Sequence, residues 1–194
     1  MKKESNMVLI SILIPTLTNR TMYFKRITDE LNRQIVEIHA EKEVEILAYC
    51  DNRQKTTGHK RNVLLNKAVG KFTVFVDDDD RVDPKYIYEI LKVIKENDDI
   101  DCIGIQGLYN ENGGKYEPFE TSLKHNWEKR NGWYYRTINH ISPILRKHAL
   151  EVKFPDKTRF EDYEWTMALK KTGLLKKEVV IKKPMYIYEY VHVK

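Results

Sequence analysis

Two cysteines stand in 194 residues, Cys50 and Cys102. They lie far apart, each beside a strand-like segment, so a disulfide framework and a cysteine-based zinc site are both excluded and two buried reduced thiols are expected. Glycine and proline are scarce, at 8 and 6 residues, beside 41% hydrophobic and 32% charged content. That excludes collagen-like, linker-dominated and low-complexity chains and leaves an ordinary globular composition. Long apolar runs are missing too: the most apolar stretch, "MVLISILIP" at residues 7–15, is about half of the roughly 20 residues a membrane-spanning helix needs, and it lacks signal-peptide cleavage character. A cytoplasmic protein with no transmembrane segment is expected. Neither GxGxxG after the first strand-like run nor GxxxxGK[ST] occurs, so phosphates, if bound, are held by something other than a dinucleotide fingerprint or a phosphate loop.

The net charge of +5 favours anionic partners such as nucleotides, nucleic acid or acidic lipid without choosing among them. The densest basic run, "KKTGLLKKEVVIKK" at 170–183, reads as a solvated helix end and strand flank. No internal repeat is visible, and the length suits one domain over residues 1–194.

Strands and helices alternate through the first half. "VLISILI" (8–14) is a continuous apolar, β-branched run closed by Pro15, as in a strand buried on both faces. Ile27, Leu31, Ile35 and Ile38 share one helical face. "VEILAY" (44–49) predicts a second buried strand, followed by a short helix bearing Val63, Leu64 and Ala68, with Gly70 as its left-handed cap. "FTVFV" (72–76) predicts the third strand. Asp83 suits a helix N-cap with Pro84 at the first helical position, before the stripe Ile87, Ile90, Leu91, Ile94. This order predicts an α/β fold with a mostly parallel sheet flanked by helices.

Beyond "DCIGIQ" (101–106) the pattern turns α+β. "NENGG" and "RNGW" are hairpin-turn sequences around Trp127, Trp133, Tyr134 and Tyr135, four aromatics that read as core fillers before sugar platforms. A helix over about 161–171 and two strands near 179–181 and 185–191 complete the chain.

In parallel sheets ligands bind outside the carboxyl ends of the strands. The residues at those ends are Thr16 to Arg20, Asp51, and the run Asp77, Asp78, Asp79, Asp80. Four adjacent carboxylates repel one another, at roughly 0.7 kcal/mol per pair in water at about 6 Å. A divalent cation relieves that repulsion, and Mg²⁺ or Mn²⁺ is commonly held by one or two carboxylates with substrate phosphates completing its shell.

"SILIPT", "GHKRNVLLNKAVGKFTVFVDDDD" and "FEDYEW" together resemble the family 2 glycosyltransferases of GT-A fold, in order over about residues 11–169, with a weaker echo in "YIYEYVH". The resemblance implies a nucleotide-sugar-binding α/β half over about 7–106 and an acceptor-side, catalytic-base half over about 107–194. It implies a metal-dependent, inverting transfer, by a hexosyltransferase, from a UDP-sugar or similar donor to a hydroxyl acceptor. A glycan, a lipid-linked glycan, a protein or a modified nucleobase all fit as acceptor, and peripheral membrane contact stays open.

Position by position, the resemblance implies that Pro15, Thr16 and Asp51 receive the nucleoside and that Lys60 and Arg61 pack against the phosphates. Asp77, Asp78 and Asp79 match the DXD motif, with Asp79 as direct ligand of Mn²⁺ or Mg²⁺. A frame one residue later brings in Asp80, and His192 matches a position whose histidine joins the metal shell or touches the diphosphate. Glu161 and Asp162 match the catalytic pair, with Asp162 as base. Consecutive helical residues point about 100° apart, so one of the two faces substrate and the other braces. His140, in "NHISPILR", is an acceptor-side candidate. "NRQKTTG" after Asp51 departs from the Asp-Gly-Ser pattern of many relatives. The rivals are a metal-dependent nucleotidyltransferase and a non-catalytic, basic nucleic-acid-binding module.

Overall fold

The computed structural model describes residues 7–190. Along the chain the elements are β1 (Ile10–Leu17), α1 (Thr21–Glu37), β2 (Val44–Asp51), α2 (Thr57–Lys67), β3 (Phe72–Phe75), β4 (Arg81–Val82), α3 (Tyr86–Glu96) and β5 (Cys102–Glu111). There follow β6 (Glu117–Thr121), β7 (Glu128–Arg130), β8 (Trp133–Arg136), β9 (Ile144–Leu145), α4 (Arg146–Ala149), α5 (Glu161–Thr172) and β10 (Glu178–Tyr190). One sheet carries them in the order β2-β1-β3-β9-β5-β6-β8-β7, with β10 beside β5 and β4 beside β10.

β1 lies at the centre of the first half because its side chains are apolar on both faces. It pairs in parallel with β2 (Ile10 opposite Val44) and with β3 (Ile10 opposite Phe72). Ile10, Ile12 and Ile14 pack with Ile27 and Leu31 of α1 and Ile87 and Ile90 of α3. Leu13 points the other way, to Leu64 and Leu65 of α2 and Trp165 of α5. The sheet is thus covered on both sides, and the ends of β1, β2 and β3 open toward one edge of the molecule.

Several expectations need correction. β1 does not close at Pro15 but runs to Leu17, with Pro15 opposite Tyr49. β2 is the sheet's edge, so only Val44 of it is fully buried. Cys50 on that edge is accordingly exposed, while Cys102 is buried as expected. Gly70 has no left-handed conformation. Its lack of a side chain serves close approach: a Cβ there would lie 2.6 Å from Ser11 N, and its N–H donates to Ser11 Oγ at 2.8 Å. Asp83 caps a turn rather than the helix itself, accepting from Lys85 N at 2.8 Å one residue before α3. The two expected C-terminal strands are one, β10, whose register shifts around Pro184 because proline has no N–H to give the ladder. Its predicted last residue, Val191, lies outside the described residues. The turn sequences behave as read: Asn112–Gly113 and Asn131–Gly132 all take positive φ and close the β5–β6 and β7–β8 hairpins. Trp127, Trp133, Tyr134 and Tyr135 are only partly buried and form no part of either core cluster's buried set. Tyr134 packs against the core from outside, Trp127 meets Tyr163 of α5 edge-on, and Trp133 and Tyr135 stack on each other along β8.

Among the described residues no helix is long and apolar enough to cross a membrane.

Candidate active site

The carboxyl ends of β1 and β3, the start of α2 and the segment before α5 enclose a crevice of about 580 Å³. Contacts with a segment some 90 residues away explain how "GHKRN" builds one wall. Gly58, in the first turn of α2, sits where a Cβ would fall 1.9 Å from Pro155 O, and its N–H donates to Lys157 O at 3.0 Å. Asn62 fastens the same loop through both amide atoms, to Phe154 O at 2.8 Å and from Phe154 N at 2.9 Å. Phe154 in turn stacks on Trp165 of α5, with ring centroids 4.5 Å apart. The helix bearing Lys60 and Arg61 and the helix bearing Glu161 and Asp162 are thereby held as one unit.

Each aspartate of the run has its own environment. Asp77 receives two bonds from Arg61 Nη2, at 2.9 and 3.2 Å. Burial pushes its carboxyl up, but Arg61 and His140 outweigh burial and hold it well below the usual range. Asp78 accepts from Thr16 Oγ1 at 2.6 Å and from Arg20 at 2.9 and 3.0 Å. Asp79 meets Arg20 Nη2 at 2.7 Å, yet its side chain stays 43% exposed to the crevice. Burial first, then the charge of Asp77, raise its pKa against the pull of Arg20. Asp80 is fully enclosed, accepting from Tyr186 OH at 2.6 Å and Glu189 N at 3.2 Å. Burial, then Asp77 and Asp79, drive it well above the usual range. Asp80 does not line the crevice; its carboxyl ties the run to β10, which favours the frame Asp77–Asp78–Asp79.

Glu161 and Asp162, adjacent in the first turn of α5, face different ways. Glu161 is buried at 4% exposure and meets Arg61 Nε at 3.2 Å. Its pKa is raised because burial outweighs the attraction of Arg61. Arg61, 3% exposed, therefore bridges Asp77 and Glu161. Asp162 faces the other way, into a second, narrow pocket shared with His140 and Tyr188. His140 stands between the two regions, Nε2 at 3.7 Å from Asp77 and Nδ1 at 3.6 Å from Asp162. Both distances are beyond hydrogen-bond length, and the buried Nδ1 has no hydrogen-bond partner among the described residues.

Of the other expected residues, Pro15 and Thr16 line the crevice. Lys60 is buried, bonded to Thr16 O at 2.8 Å and paired with Asp51. Asp51 also accepts from Lys55 N at 2.7 Å and faces a shallow depression beside the crevice. His192 lies outside the described residues. Arg20, Arg53, Lys55, Thr158 and Arg159 also line the crevice, without a role in the motif reading. Arg20 was legible as a base at the end of β1, opposite the acid run. Arg53 and Lys55 lie in the very "NRQKTTG" segment that departs from the common pattern.

The donor atoms fit a hard cation in one way only. Among the described residues no three His, Cys, Asp or Glu side chains gather into a closed metal cage. One exposed carboxylate, Asp79, with Asp77 beside it suits Mg²⁺ or Mn²⁺, which keep most of their octahedral shell for water and phosphate oxygens.

The chain resembles known proteins over most of its length. An uncharacterized glycosyltransferase of Methanocaldococcus jannaschii is 25% identical over 138 residues, covering 68% of this chain and 47% of that protein. The chain thus spans about half of that relative. The structure of Staphylococcus aureus TarS residues 1–349 with UDP-GlcNAc superposes with a TM-score of 0.65 at 19% identity, over 96% of this chain and 60% of that one. The catalytic domain of Drosophila beta1,4galactosyltransferase 7, in complex with xylobiose, superposes at 0.57 with 12% identity, over 92% of this chain and 68% of that one. At such identities the superpositions speak for the fold, and the fold is GT-A. The sequence profile described as "Glycosyl transferase family 2" matches residues 12–169, from within β1, through the acid run, to the Glu161–Asp162 helix, and the chain belongs to that family.

Proposed function

We propose that the protein moves a sugar, a hexose by preference, from a nucleoside diphosphate sugar, UDP-linked by preference, to a hydroxyl acceptor, with inversion and with Mn²⁺ or Mg²⁺. One observation carries this reading. In a single crevice the acid run faces Arg53, Lys55 and Arg159, three cations whose side chains have no carboxylate partner among the described residues. Unpaired cations suit phosphate oxygens, whereas Asp77 and Asp79 alone would repel them. A divalent ion held by Asp79, with Asp77 in support, reconciles the two and supplies charge neutralisation for the departing diphosphate. UDP is favoured because the similar TarS structure holds UDP-GlcNAc.

The chain's own residues do the rest. Arg20 orients Asp78 and Asp79 from one side, and Arg61 holds Asp77 against Glu161 from the other. Asp162, its side chain 32% exposed in the neighbouring pocket, takes the proton of the attacking hydroxyl. Base and diphosphate site then lie on opposite sides of His140, and attack from the side away from the leaving group inverts the anomeric centre.

Calorimetric titration with UDP-GlcNAc and other UDP-sugars, with and without Mn²⁺, tests the reading. Mn²⁺ is expected to tighten donor binding at least tenfold, and Asp79→Asn to remove that gain. Asp162→Asn is expected to bind donor normally while its transfer rate falls by about 100-fold or more. If folded wild-type protein binds no nucleotide sugar in the presence of Mn²⁺, the proposal fails.

A further inference from the structure

Arg136, the last residue of β8, has no task in the scheme above. It is partly buried, and its guanidinium lies 4.5 Å over the Trp127 ring and 5.9 Å from the Tyr134 ring centre. Among the described residues no carboxylate pairs with it and no acceptor receives its N–H groups. The neighbouring Lys129, by contrast, is matched by Glu117 at 2.8 Å. Burial lowers the Arg136 pKa, although a guanidinium remains charged at neutral pH. A half-buried arginine without a carboxylate is uncommon, and a planar fork of donors that no protein group uses suits a bidentate anion.

The surroundings say where that anion sits. Arg136 lines the same narrow pocket as Asp162 and His140, and the charge of Asp162 acts on it without an ion pair forming. The pocket, about 30 Å³, has room for roughly two water-sized groups, hence two oxygens of a carboxylate or phosphate and not a whole sugar. Its floor is Tyr109 and Tyr188, stacked with centroids 5.5 Å apart and tilted by 23°. Their ring edges and any free face give the pocket an aromatic lining against which the apolar side of a sugar can rest.

We propose that the acceptor is anionic: a carboxylate or phosphate beside the attacking hydroxyl is bound by Arg136, while Tyr109 and Tyr188 support the acceptor and Asp162 faces the hydroxyl. The proposal rests on the glycosyl-transfer reading in calling the bound molecule an acceptor. Its anion site is testable without any transfer.

With UDP and Mn²⁺ saturating, so that the cations of the donor crevice are covered, calorimetry compares glycerol 3-phosphate with glycerol and glucuronate with glucose. Wild type is expected to bind the anionic member of each pair at least tenfold more tightly. Arg136→Gln is expected to shrink that ratio below twofold, and Arg136→Lys, which keeps the charge but not the fork, to retain part of it. Equal affinity within each pair for wild type overturns the proposal, as does a preference undiminished in Arg136→Gln. A second arm compares UDP-glucuronate with UDP-glucose: a preference there that Arg136→Gln abolishes places the anion on the donor and overturns the acceptor assignment. UDP binding by Arg136→Gln serves as its folding control. If UDP fails to bind wild type, the transferase reading falls, while the Arg136-dependent ratio still stands or falls on its own measurement.

Discussion

A single guanidinium decides how the acid run and the start of α5 coexist. Arg61 is buried against Asp77 and Glu161 with its plane 5.0 Å from the Phe75 ring centre. Three ionisable groups withdrawn from water tolerate one another only as a set, and removing one partner of such a set costs about 3–5 kcal/mol because the others are left uncompensated. Arg61→Met is accordingly expected to lower unfolding stability by about 4 kcal/mol in urea titrations and, in whatever remains folded, to abolish UDP-sugar binding. The neighbouring "GHKRN" residues were legible as a motif but not as mechanics. Gly58 is there for its missing side chain, Lys60 to close β1 against Asp51, and Asn62 to hold the loop before α5. A reading by resemblance assigns Lys60 and Arg61 to ligand; the distances give each of them protein partners first.

At the scale of elements, α2 is fastened to the loop at 154–157 that leads into α5, and that contact holds Arg61 beside Glu161. Gly58→Ala puts a Cβ where Pro155 O stands, 1.9 Å away, and backbone is the neighbour least able to yield. Overpacking of this kind costs about 1–3 kcal/mol, and the α2 start must move to accept it. Donor affinity measured by calorimetry is expected to fall at least tenfold in this variant, although position 58 is distant in sequence from every expected base or metal ligand. The helices themselves follow their sequence. Ile27, Leu31 and Ile35 make the buried face of α1 as spaced, and Ile87, Ile90, Leu91 and Ile94 that of α3. α5 opens on Phe160, a 71% exposed residue at φ 63°. A left-handed aromatic costs about 1–2 kcal/mol, and such strain collects beside working residues. Nothing in the spelling of "FEDYEW" announces it.

The whole molecule is one continuous sheet whose two halves meet at β5, β9 and β10. Asp101 holds that junction. It accepts from Lys176 N and Lys177 N, each at 2.9 Å, and meets His148 of α4 at 3.1 Å. Burial pushes its carboxyl up, and the two N–H groups with His148 outweigh burial, so its folded pKa lies below the unfolded value. A depressed carboxyl stabilises the fold above its unfolded pKa, about 3.9, and that contribution is lost as pH falls through the folded value. Asp101→Asn is therefore expected to cost about 2 kcal/mol at pH 7. The gap between variant and wild type should hold down to about pH 4 and close below it, as read by urea melts across that range. A gap unchanged at pH 3 would show that the contact acts by shape and not by charge.

Local pattern was enough to order the α/β half, the two Asn-Gly hairpins and the α5 helix, because hydrophobic period and turn chemistry are properties of a few adjacent residues. The acid run and the Glu161–Asp162 pair stood out for the same reason, as did their family likeness. Pairing across the fold was beyond such a reading. That β2 is an edge, that β10 is one bulged strand, and that Trp133 and Tyr135 lie outside the core depend on which neighbour each strand finds. So does the fate of each aspartate: four identical letters became a partner for Arg61, a partner for Thr16 and Arg20, an exposed carboxylate and an enclosed acid. Charge and burial are set by contacts between residues as many as 109 positions apart, as from Glu189 to Asp80. No stretch of sequence read alone contains such distances.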